Sequence, residues 1–110
     1  MTEFLSALVL LLFAHALADY PLQGDFLAKA KNGYTPVPGV PWWQAMAAHS
    51  MIHAGFVFLV TQLLVLAVIE FVLHFAIDHA KCRGHITYNQ DQAAHVACKV
   101  GYAVLVALLA

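Results

Sequence analysis

The sequence predicts an all-α protein: a four-helix transmembrane bundle, up-down-up-down, with a short interfacial helix and a Pro/Gly loop between its first two crossings. Three observations predict it. The 110 residues are 63% hydrophobic and only 10% charged, whereas ordinary soluble domains carry about 25% charged residues. Mean hydropathy is +0.78, and a body of 12.0 kDa has too little interior to hide that apolar surplus, so lipid has to cover it. Apolar runs of membrane-crossing length recur, and the one strong Pro/Gly break falls at Asn32 to Pro41.

At this length residues 1–110 form a single domain. A net charge of −1 without any basic run gives nucleic acid nothing to bind. Cys82 and Cys98 form neither a disulfide framework nor a CxxC pair, and Cys82 reads as a free thiol.

The first crossing covers about residues 2–20. Met-Thr-Glu-Phe lacks the positive charge that opens a signal peptide, and the apolar run exceeds an h-region of about 7–15 residues, so the segment reads as a retained transmembrane helix. Pro21 ends or kinks it. Residues 22–31 form a short amphipathic helix with Leu22, Phe26, Leu27 and Ala30 on its apolar side and Lys29 and Lys31 reaching for head groups. Residues 32–41 hold three prolines and two glycines and form a loop. Trp42 and Trp43 then mark the interfacial belt and open the second crossing, about 42–60. From Ala45 to Ile77 there is no proline and only Gly55. One helix of that length would overshoot the bilayer, so a tight turn is expected at Thr61-Gln62 and a third crossing at about 63–81. Residues 82–88 form a second loop. The fourth crossing spans about 89–110, with Asn89 as its N-cap.

The third crossing begins as an apolar helix and ends in ionisable groups. Glu70, His74 and Asp78 recur every fourth residue and make one polar stripe. The same spacing joins His15 to Asp19, His49 to His53 and Asp91 to His95. Thirteen residues are His, Asp or Glu, from which about 1.5 such pairs arise by chance, against five when matches to the template are counted. Every crossing carries a pair, and the alternating topology brings all four pairs to one depth. Lys29, Lys31, Lys81, Arg83 and Lys99 fall on that side, while the opposite side holds only Met1–Glu3, Thr61-Gln62 and the C-terminus. The positive-inside rule then makes the cluster cytoplasmic and puts both termini outside.

Residues four apart project in one direction, and His nitrogen with Asp oxygen suits Zn, Mn, Fe or Ni. The candidate metal ligands are His15, Asp19, His49, His53, His74, Asp78, Asp91 and His95. Eight donors imply one or two divalent ions (Zn, Mn or Fe), or some donors orienting others. Glu70, a turn deeper, is the candidate proton-transfer group, and Lys81 the candidate stabiliser of an anionic substrate. Lys81 and Lys99 also fit head-group contact or snorkelling. Gln23 extends the His15/Asp19 stripe if the helix survives Pro21, and Cys98 is a further donor or a packing residue. His79 and His85 lie off the stripe. Two other readings remain open: hydrogen bonds that hold the helices together, and a proton or ion path.

The spacing His15-x3-Asp19-Tyr20-x2-Gln23, then Lys31, His49-x3-His53, His74-Phe75-x2-Asp78-x2-Lys81 and Asp91-Gln92-x2-His95 resembles the bacterial and phage membrane family known as domain of unknown function 3307. The resemblance implies an integral membrane protein with polar motifs at its helix ends and supplies no activity; the expected localisation is multi-pass in a bacterial inner membrane. A looser similarity to membrane-bound metal-dependent hydrolases implies a metal at the repeated H-x3-D motifs. The leading expectation is therefore a metal-dependent hydrolase acting at the membrane surface on a lipid or membrane-associated substrate. The alternatives are a non-catalytic, partner-binding or homo-oligomeric bundle with a structural cluster, and an ion or metal transporter.

Overall fold

The computed structural model describes residues 2–110; Met1, placed by its sequence position on the side away from the polar cluster, lies outside the described residues. The chain is all-helical, with α1 (Thr2–Asp19), α2 (Gly24–Ala30), α3 (Trp42–Thr61), α4 (Leu64–Cys82) and α5 (Tyr88–Leu109), and no strand among the described residues. The molecule is elongated, 47 × 23 × 22 Å.

Local chemistry sets the element ends. After α1 the backbone turns through Tyr20 to Gln23, where the Leu22 N–H reaches the Leu17 carbonyl, and restarts at Gly24 with φ +64°. Between α3 and α4 the chain reverses on Gln62, a non-glycine residue at φ 58°. That left-handed conformation strains an L-residue, and its side-chain amide offsets part of the strain by donating to the carbonyls of Phe58 at 3.3 Å and Leu59 at 3.2 Å. α4 ends on Gly84, φ +80°, whose neighbour His85 sends its N–H back to the Ala80 carbonyl. The N-cap of α5 is Thr87, not Asn89. The Thr87 hydroxyl accepts from the Gln90 N–H at 3.1 Å, and the Gln90 side chain accepts from the Thr87 N–H at 2.9 Å, a reciprocal capping box. Asn89 lies inside the helix, and the glutamine three residues on, Gln92, is turned to His15, Asp19 and Asp91 instead.

α1 packs on α3 and α5, α4 packs on α3 and α5, and α2 lies against α3. Small residues at the contacts, Ala7, Ala14, Ala18, Ala54, Ala67 and Ala103, are all buried and allow close approach of the backbones. The interior has two layers. One is apolar, built from Ala7, Leu11, Val57, Leu66, Tyr102 and Ala103. The other is polar, built mainly from the stripes, and lies one or two turns away along the same helices. Two helices, α1 and α5, are long and apolar enough to cross a membrane.

Candidate metal centre

Asp19, at the C-terminal end of α1, is the hub. Its Oδ1 lies 2.9 Å from His53 Nε2 and 3.2 Å from His49 Nε2, and its Oδ2 lies 3.3 Å from His15 Nε2. His49 and His53 reach it together because they sit one turn apart on the inward face of α3. His74, from α4, stacks on His53 with ring centroids 3.7 Å apart and planes inclined by 21°. His95, from α5, stacks on the other face of His74 at 4.2 Å and 21°. His49 meets the His74 ring edge-on at 4.9 Å.

Four of these residues, Asp19, His49, His53 and His74, each offer one donor atom, and the four atoms lie within 4.8 Å of one another. Glu70, His74 and His95 form a second group that meets the same criterion and shares His74. These His and Asp groups are geometrically able to hold a metal ion. Both ring nitrogens of His49, Nε2 of His74 and Nδ1 of His15 are buried without a hydrogen-bond partner. The short His49–Asp19 distance lacks the alignment of a hydrogen bond. A buried donor or acceptor left unpaired costs about 1–3 kcal/mol, so an arrangement of several calls for a further group between them.

The structure brings all eight proposed ligands and Glu70 into one region, buried except for the half-buried Asp19, but it engages them differently. Asp78 Oδ2 accepts from Lys31 and lies 3.5 Å from His49 Nε2, while Asp78 Oδ1 is 3.1 Å from Lys81 Nζ. Asp91 is 3.3 Å from His95 and 3.9 Å from Lys81. Asp78 is thus paired with two ammonium groups and Asp91 with a more distant one, while Oδ1 of each is buried without a hydrogen-bond partner. Glu70 is enclosed: its Oε2 accepts from Lys99 at 2.9 Å and lies 3.2 Å from His74 Nδ1, and its Oε1 accepts from Tyr102 at 3.0 Å. His79 and His85 stay outside; His79 stacks on Trp42 at 4.8 Å and His85 is exposed.

Two lysines depart from the sequence reading. Lys31 is 3% exposed and Lys99 1% exposed, so neither reaches a head group. Lys31 is drawn inward by Asp78 and by Gln23, and Lys99 by Glu70. Gln92 and Tyr102 were missed as partners. Gln92 bridges the cluster, accepting from His15 at 3.0 Å and donating to Asp19 at 2.9 Å and to Asp91 at 3.2 Å. The signal for Lys99 was present, because Asp91, His95 and Lys99 continue one stripe at a spacing of four.

A family model described as "Protein of unknown function (DUF3307)" matches residues 7–109. No curated protein and no solved structure matches the chain. The chain belongs to this family, DUF3307, whose description assigns no activity.

Proposed function

We propose that this member of the family is an integral membrane protein that binds a divalent transition-metal ion through Asp19, His49, His53 and His74. The observation that carries the proposal is the convergence of four donor atoms from three helices within 4.8 Å, where His49 has no hydrogen-bond partner on either ring nitrogen. Coordination would satisfy one of those nitrogens, and one His–carboxylate set of this kind suits Zn, Mn or Fe.

The membrane part of the proposal rests on an inverted distribution of polarity. Leu5, Val9 and Phe13 of α1, Met51 and Leu59 of α3, Val65, Val68 and Val72 of α4, and Leu105 and Leu108 of α5 are exposed, while Lys31, Glu70, Asp78, Asp91 and Lys99 are buried. In water such a surface exceeds the apolar patch of an ordinary monomer, about 300–600 Å²; in lipid it is the expected exterior. All four long helices would then cross as an up-down-up-down bundle, with the cluster at the cytoplasmic face by the positive-inside rule.

A four-donor shell is closed, and hydrolysis needs a position for water. Asp19 is the donor with most access, its side chain 11% exposed against 2% or less for the histidines of the site. Exchange of one Asp19 oxygen for water would create a nucleophile near neutral pH, and Lys81, whose side chain is 25% exposed, would face an anionic head-group ester. Retention of all four donors would instead make the ion a structural staple.

Metal analysis of detergent-purified protein, prepared without chelator, tests the proposal. A stoichiometric divalent metal that is lost in His53→Ala supports it; sub-stoichiometric metal in the wild type refutes it. Loss of metal with helicity retained favours the hydrolytic site, and joint loss favours the staple. A reporter at the C-terminus found in the cytoplasm would overturn the orientation.

A further inference from the structure

We infer that Glu70, held by Lys99 and Tyr102, is a positioning residue that makes His74 a metal ligand through Nε2. The inference rests on the metal reading above and explains why a second group of donors sits beside the first.

Taken alone, Glu70, His74 and His95 look like a second metal site. The ion pair speaks against it. Lys99 Nζ already occupies Glu70 Oε2 at 2.9 Å, and the Tyr102 hydroxyl occupies Oε1 at 3.0 Å. A cation placed there would have to displace an ammonium that is 1% exposed. The carboxylate does have one remaining neighbour, His74 Nδ1 at 3.2 Å. A carboxylate already accepting from a lysine and a tyrosine can only accept again, so Nδ1 carries the hydrogen and the lone pair is left on Nε2. That nitrogen is buried without a partner, 3.9 Å from Asp78 Oδ2. Stacking completes the control. His53 on one face and His95 on the other fix the plane of the His74 ring, and Glu70 fixes which nitrogen points to the ion. A carboxylate behind a ligating histidine also raises its basicity. Lys99 and Tyr102 enclose Glu70, and it is the Glu70 contact to His74 Nδ1, made by a carboxylate that does not touch the ion, that tunes the ion's affinity.

The test separates positioning from mere stability. In full-length protein in detergent, Co(II) binding is followed by its ligand-field absorption. The triple variant E70L/K99M/Y102F removes the whole polar set and leaves no unpaired charge, so helicity and thermal stability should stay near wild type. Positioning by Glu70 predicts that its Co(II) affinity falls about 10–100-fold with an altered absorption band. Wild-type affinity in the folded triple variant overturns the inference. Glu70→Asp decides the matter should the triple variant not fold: it keeps the charge for Lys99 but shortens the reach to His74, and an affinity equal to wild type would again overturn it. Wild-type protein that binds no Co(II) overturns the metal reading itself, and Tyr102→Phe, which leaves the His74 contact in place, should bind within a few-fold of wild type.

Discussion

Replacing Lys99 by methionine should be the most destabilising lysine substitution in the protein. The Lys99–Glu70 pair is 2.9 Å apart with side chains 2% and 1% exposed. Two unit charges at that distance attract by about 6 kcal/mol at an effective dielectric of about 20, and much of this offsets the cost of bringing both out of water. Methionine fills most of the volume but leaves Glu70 with Tyr102 and His74 as partners and no cation. Breaking a buried pair in this way costs about 3–5 kcal/mol. Lys31→Met gives an internal comparison. Asp78 loses Lys31 yet keeps Lys81 at 3.1 Å, so the cost is that of a hydrogen bond to a charged group, about 1.5–3 kcal/mol. Unfolding of each variant in mixed micelles, titrated with SDS and followed by circular dichroism, measures both. A Lys99→Met loss below about 1 kcal/mol, or one smaller than that of Lys31→Met, would refute the view that Glu70 depends on a single buried cation.

Further outcomes follow from the same geometry. Thr87→Ala removes the hydroxyl that caps α5 and should cost about 1 kcal/mol, seen as an earlier midpoint in the same titration, whereas Asn89→Ala should cost little. Gly33→Ala would bring a Cβ to 2.8 Å from the Trp42 ring; the ring must move off His79, and in a Trp43→Phe background the tryptophan emission should shift to the red. His79→Ala and His85→Ala should retain metal at wild-type stoichiometry, while His49→Ala should lose it, as read by elemental analysis.

The all-helical class was legible because hydropathy and the confinement of proline to a few positions leave no room for strands. The polar cluster was legible because a spacing of four survives any rotation of a helix about its axis. Its internal wiring was not. Lys99 continues the Asp91/His95 stripe, but a lysine stem can lie along a helix toward the interface as easily as it can fold inward, and only the position of Glu70 on another helix selects the second. Lys31 follows Pro21 and Gly24, where the periodic register is lost, so nothing local points it at Asp78. Gln92 sits beside Asp91 on the helix and reads as a solvated neighbour until α1 is placed against α5. Thr87 was only half legible: Thr87-x-x-Gln90 and Asn89-x-x-Gln92 both have the capping spacing, and the choice between them depends on Gln92 being drawn to Asp19 across the helices.

The two-layered interior carries a consequence for permeation. Leu11, Val57, Leu66 and Ala103 close the space behind the charged layer, and from Tyr102 to the end of α5 at Leu109 the helix runs for roughly 10 Å at 1.5 Å per residue lined by aliphatic side chains. An ion held at Asp19 would have this packed apolar layer on its far side. The charged layer is thus backed by apolar packing on one side, and Asp19, with its side chain 11% exposed, marks the more open side.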